Sequence, residues 1–117
     1  RVASGPMSYF MYRSFMEAGL PLPVPYFIKE FLVWIHLAPC QLSADSYATL
    51  VYFHNLYTSC EWDRPWAQEV MDAYSLIPIE GGSHEFHLVS CSCLPLFADI
   101  PAFEDWRENP IILAGIV

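Results

Sequence analysis

Ser43-Ala44-Asp45-Ser46-Tyr47-Ala48-Thr49-Leu50-Val51-Tyr52-Phe53-His54-Asn55-Leu56-Tyr57-Thr58-Ser59 is the stretch that decides the fold. Ser43 has the short hydroxyl side chain that suits an N-cap, and Asp45 puts a negative charge in the first turn, where the helix dipole favours it. Tyr47, Leu50, Val51, His54 and Tyr57 then recur at helical spacing, and Phe53 and Leu56 widen the stripe. A helix apolar around most of its circumference is a central one, packed from several sides. The sequence therefore predicts a helical core element over residues 43–59.

Upstream, Phe27, Ile28, Phe31, Leu32 and Ile35 lie on one face of a second predicted helix, residues 25–36, with Lys29 and Glu30 turned the other way. Pro25 fits its first turn, and Pro39 closes it. Pro21, Pro23 and Pro25 at alternate positions forbid helix before it and predict an extended connector. Residues 8–15 are aromatic and read as a strand or an irregular extended segment. Downstream, Asp63 is the expected N-cap of a third helix, with Pro65 in its first turn and Trp66, Val70, Ala73, Tyr74 and Ile77 along one face as far as Pro78.

Beyond Pro78 the texture changes. Gly81-Gly82 signals a turn, and residues 85–93 carry strand formers with serines between them, ended by Pro95. Residues 96–100 suit a short strand, 101–108 one or two helical turns bearing Phe103 and Trp106, and 111–117 a further strand. The expected fold class is α+β, mainly α: about three helices followed by a small antiparallel β-unit. With 117 residues, no internal repeat and no long linker, residues 1–117 form a single domain. The start at Arg1 and the apolar run Ile111-Ile112-Leu113-Ala114-Gly115-Ile116-Val117 read as a segment of a longer polyprotein.

Composition excludes several functions. The chain is 55% hydrophobic and 15% charged, against about 25% charged in an average domain, which rules out intrinsic disorder. Charged residues and prolines interrupt every apolar run before the roughly 20 residues that a bilayer requires, so no membrane contact is expected. Thirteen acidic against five basic residues give a net charge of −8. The bases Arg1, Arg13, Lys29, Arg64 and Arg107 are scattered, and nucleic acid is not an expected partner. Four cysteines, Cys40, Cys60, Cys91 and Cys93, are too few and too unevenly spaced for a secreted disulfide scaffold, so reduced thiols and an intracellular location are expected.

Three segments carry a family resemblance. They are Glu17-Ala18-Gly19-Leu20-Pro21-Leu22-Pro23, Phe27-Ile28-Lys29-Glu30-Phe31-Leu32 and Leu37-Ala38-Pro39-Cys40-Gln41-Leu42, followed by a helix with a late aromatic at Phe53. Together they resemble the opening of the plant gypsy-type transposon domain, a retrotransposon-related family. Gly81-Gly82 before an aromatic strand, and Trp106 before an apolar one, are compatible with that family's less specific second half. The chain departs from the pattern at Ala44-Asp45-Ser46, where the family often has Pro-Asn-Ser. It departs again at Glu104-Asp105-Trp106-Arg107-Glu108, where the family usually carries a basic patch. The resemblance implies a retroelement origin and a capsid-like or assembly role. It brings no catalytic residues.

The residues with potential chemistry each have a simpler role. His84, His87, Cys91 and Cys93 are the best metal-ligand candidates by spacing, but on a strand His84 falls on the opposite face from the other three unless the Gly82-Ser83 turn reorients it. Half-buried thiols in a strand are the plainer reading. Asp45, Asp63, Asp72, Asp99 and Glu104 could supply carboxylates for two-metal phosphoryl transfer, but no motif links them. Cys40 or Cys60 with His36 or His54 lacks any oxyanion or helix-start motif. No Gly-rich phosphate loop is present, since Gly81-Gly82 carries no Lys. The expectation is a non-catalytic structural or protein-interaction module with no cofactor and no metal, whose partner is protein, self-association included. The alternative is an accessory nucleic-acid-handling domain of a transposon polyprotein whose catalytic residues lie outside this segment. Aromatic residues left over from the core would form the docking surface.

Overall fold

The computed structural model describes residues 8–80, 84–91, 106 and 110–114. In chain order these form β1 (Ser8–Tyr12), α1 (Arg13–Glu17), α2 (Tyr26–Trp34), a 3-10 turn (Pro39–Gln41), α3 (Ala44–Ser59), α4 (Ala67–Ala73), β2 (Tyr74–Pro78), β3 (Phe86–Ser90) and β4 (Pro110–Ala114). The class is α+β, mainly α. The strands form two separate antiparallel pairs, β1 with β4 and β2 with β3.

α3 is the centre, as its pattern requires. Ala44, Ser46, Tyr47, Ala48, Thr49, Leu50, Val51 and Phe53 are all buried, while Asn55, Thr58 and Ser59 emerge at its far end. Around it pack Phe15 from α1, Phe27, Ile28, Phe31 and Leu32 from α2, Val70 from α4, and Tyr74 and Leu88 from the β2–β3 pair. Ser43 stands at the N-cap, but its hydroxyl does not take a helix N–H. It donates to Asp45 Oδ1 at 2.6 Å and shares a 2.7 Å hydrogen bond with Ser46. Ser46 Oγ in turn accepts the Leu88 N–H at 2.8 Å, and the Ser43 N–H donates to the Phe86 carbonyl at 3.0 Å. These bonds fasten the start of α3 to β3 and satisfy polar groups that burial would otherwise penalise.

α1, α2 and α3 end alike. After the C-cap, Gly19, His36 and Glu61 take left-handed φ values of 102°, 61° and 56°. The next N–H then reaches back five residues: Leu20 to Phe15, Leu37 to Leu32, and Trp62 to Tyr57. This is the Schellman arrangement, which satisfies the last carbonyls of a helix. It stops α2 at Trp34, two residues before the expected end, so Pro39 is not the terminator.

The third helix differs most from expectation. Asp63 is not its cap: the helix begins after Trp66, whose N–H donates to Glu69 Oε1 at 2.8 Å, and Pro65 is buried ahead of it. It also ends at Ala73. Tyr74, Ser75, Leu76, Ile77 and Pro78 instead pair with Ser90, Val89, Leu88, His87 and Phe86. Within 74–78 the apolar residues fit a period of two as well as one of 3.6, and the ladder to β3 settles the choice. Ser75, exposed Ile77 and exposed Val89 fall on the outer face, opposite buried Tyr74 and Leu88.

The strands do not simply follow the helices. Residues 8–15 divide into β1 and the start of α1, a short helix the sequence did not announce. β1 pairs with β4 in the register Ser8↔Ala114 to Tyr12↔Pro110. Trp106 joins the same closure, with its carbonyl accepting from Ser14 Oγ at 2.7 Å. Its ring meets Tyr12 edge-on at 5.4 Å and stacks on Phe15 at 5.9 Å. The expected strand at 96–100 and the expected turns at 101–108, Trp106 apart, lie outside the described residues. Among the described residues no helix is long and apolar enough to cross a membrane.

Candidate functional site

Among the described residues, those with potential chemistry are not gathered into a site. His84 sits in an exposed turn with φ 63°, and its carbonyl accepts from Gln41 Nε2 at 2.7 Å. His87 lies half-buried within β3, opposite Ile77. Cys91 is exposed just beyond that strand, its Sγ 3.2 Å from Ser75 Oγ. Cys93 lies outside the described residues. Among the described residues no three His, Cys, Asp or Glu side chains are placed to hold a metal ion.

The carboxylates are occupied singly. Asp45 accepts from Ser43, Asp72 accepts from Gln68 Nε2 at 3.0 Å, and Asp63 lies in the loop before α4. Asp99 and Glu104 lie outside the described residues. Of the thiols, Cys60 is exposed at the C-cap of α3 and Cys40 is half-buried in the 3-10 turn. Burial pushes the Cys40 thiol up, and the nearby Glu85 charge adds to this against its own backbone hydrogen bond, which acts the other way. That environment favours thiol over the nucleophilic thiolate. His36 closes α2 in its left-handed position, and His54 lies half-buried on α3.

A different surface is built. α2 buries Phe27, Ile28, Phe31 and Leu32, and a helix that does so turns positions 26, 29, 30, 33 and 34 outward. Three of those five are Tyr26, Val33 and Trp34, which are 61%, 74% and 52% exposed. Trp66, 67% exposed, rises beside them from the start of α4. With Lys29, Glu30, Ala67 and Gln68 they line an open groove of 490 Å³. Large rings left more than half in water are the informative observation, because apolar burial is worth roughly 25 cal/mol per Å² and these forgo it.

The groove is braced. Arg64 Nε donates to Glu30 Oε1 at 3.1 Å, and the guanidinium lies 4.8 Å from the centre of the Tyr26 ring. Glu69 holds the other wall: one carboxylate oxygen takes the Trp66 N–H and the second takes the Tyr57 hydroxyl at 3.0 Å. Slight burial first, then that contact with Glu69, raises the Tyr57 phenol above its ordinary value. Tyr57 also meets Trp62 edge-on at 5.1 Å. Two of the five basic residues of this acidic chain, Lys29 and Arg64, thus stand at one groove.

Sequence reasoning marked Lys29 and Glu30 as outward-facing, yet did not mark Tyr26, Val33 and Trp34, which share their face. The signal was available: apolar residues on the polar side of an amphipathic helix. Trp66 falls on the inner face only if the third helix is capped by Asp63, three residues ahead of its actual cap. Compared with protein-family models, with curated proteins and with solved structures, the chain matches none of them.

Proposed function

We propose that this chain is a non-catalytic structural and protein-interaction module of the gypsy-type transposon kind, gag-like in working by assembly, and that its docking surface is the groove between α2 and α4. The observation that carries this reading is the exposed set Tyr26, Val33, Trp34 and Trp66, braced by Arg64, Glu30 and Glu69. Aromatic residues in fixed backbone positions with charged groups at the rim are what protein interfaces use as anchors. The resemblance of the first half to the transposon family points the same way. Free Cys40, Cys60 and Cys91 fit a reducing, intracellular setting.

The test is light scattering on a sizing column, with reduced protein over a wide concentration range at two salt levels, comparing the unaltered chain with Trp66→Ser. The expected result is a defined oligomer that persists at high salt and is lost in the variant. Association that ignores Trp66→Ser removes the groove from the proposal. Binding of a labelled nucleic acid that weakens steeply with salt overturns the reading in favour of nucleic-acid handling.

A further inference from the structure

We infer that the occupant of this groove is a second copy of the chain, docked α2 against α2, antiparallel, with the two-fold axis passing between Lys29 and Glu30. The inference rests on the reading of the groove as a docking surface and names its partner and register.

The outward stripe of α2 reads Tyr26, Lys29, Glu30, Val33, Trp34, the i, i+3, i+4, i+7, i+8 spacing that lies along one side of a helix. An axis between residues 29 and 30 sets Lys29 of each copy opposite Glu30 of the other, and Tyr26 opposite Val33. Both central cross-pairs are then oppositely charged, and both flanking pairs are apolar. The parallel in-register alternative puts Lys29 against Lys29 and Glu30 against Glu30, and is disfavoured by like charge. A two-fold contact must be self-complementary, and this stripe is so in one direction only. Arg64, bonded to Glu30 and lying over the Tyr26 ring, fixes that carboxylate in place at the centre of the stripe.

The area suffices for a weak dimer. An aromatic side chain carries about 150–250 Å², and more than half of each of Tyr26, Trp34 and Trp66 is exposed. With Val33 and the rim this amounts to roughly 500 Å² per copy, so about 1,000 Å² in the pair, the lower bound for a specific interface. Per copy it lies within the roughly 300–600 Å² of the largest apolar patch on a typical monomer, a patch that is often functional. An anionic polymer is the poorer fit, because the chain as a whole carries a net charge of −8 and only Lys29 and Arg64 oppose it at the groove.

Charge complementation tests the register. Sedimentation equilibrium is run on the full reduced chain, on Lys29→Glu, on Glu30→Lys, and on an equimolar mixture of the two variants. The unaltered chain is expected to dimerise, and each variant alone to bind itself at least about tenfold more weakly, since the centre of its interface becomes all acidic or all basic. The mixture is expected to recover a dimer containing one of each. If each variant dimerises as the unaltered chain does, or the mixture fails to recover, the register is overturned. Should Trp66→Ser still abolish association in that event, the aromatic docking surface stands without this geometry. A chain that stays monomeric at every concentration overturns self-pairing altogether.

Discussion

The start of α3 and the outer face of α2 invert ordinary hydropathy. At the first, Ser43, Ser46 and Thr49 are buried; at the second, Tyr26, Val33, Trp34 and Trp66 stand in water. The buried hydroxyls are tolerable because each has a partner: Ser43 with Asp45 and Ser46, Ser46 with the Leu88 N–H, and Thr49 with the Asp45 carbonyl at 3.3 Å. Apart from the Arg64 guanidinium over Tyr26, the exposed rings have no comparable compensation among the described residues. Polar burial here is explained by hydrogen bonding within the chain, whereas apolar exposure calls for something outside it. The two regions therefore answer different questions, one about stability and the other about function.

Substitutions can separate them, beginning with the strongest. Phe15 is fully buried, its ring 4.3 Å from Tyr47 and against Tyr12 and Trp106. Phe15→Ala is expected to cost about 3–5 kcal/mol, read from the urea midpoint. The same cluster responds to pH. Burial holds the Tyr47 phenol well above its ordinary value of 10.0, with its hydroxyl donating to the Pro39 carbonyl at 2.6 Å. The folded state keeps this proton after the unfolded chain has released it. Its contribution is therefore complete below pH 10.0 and falls as pH rises beyond it. Urea midpoints measured from neutral to strongly alkaline pH should drop more steeply for the unaltered chain than for Tyr47→Phe.

Ser46→Val tests the polar region directly. It orphans the Leu88 N–H and one partner of Ser43, and is expected to cost about 1–3 kcal/mol despite adding apolar surface to the core. A stability gain there would break the comparison. Glu61→Gly relieves a non-glycine residue at φ 56° and is expected to raise stability by about 1 kcal/mol, checked by thermal unfolding. Trp66→Ser has the smallest expected effect on stability, within about 0.5 kcal/mol. If it instead destabilises like a core substitution, the groove is part of the fold and not a docking surface.

Much of the fold was legible because α3 and the buried face of α2 each hold one period over several turns. Where an element is five residues long, as in α1, β2 and the described strands generally, two periods fit equally well and only pairing decides. Residues 74–78 show this: Val70, Ala73, Tyr74 and Ile77 match a helix until β3 is placed beside them. The Schellman ends at His36 and Glu61 were hidden for another reason, since neither is the glycine that usually announces such a turn. The groove was half legible. Its charges could be read from α2 alone, but Trp66 joins it only because α4 starts late, and that depends on the Glu69 contact. For the histidine and cysteine candidates, strand alternation already set His84 apart from His87, Cys91 and Cys93, and closeness in sequence was not read as convergence.

The pairing of Ser8 with Ala114 has a mechanical consequence. In an antiparallel pair these partners lie about 5 Å apart, so Ser8 and Ala114 stand together at one end of the seam. Tension applied between these two residues pulls β1 and β4 apart from that end and loads their bonds one after another. Such a seam opens like a zip, under low force, while α3 and its surroundings carry none of the load. The β1–β4 seam can therefore yield and leave the centre of the fold undisturbed.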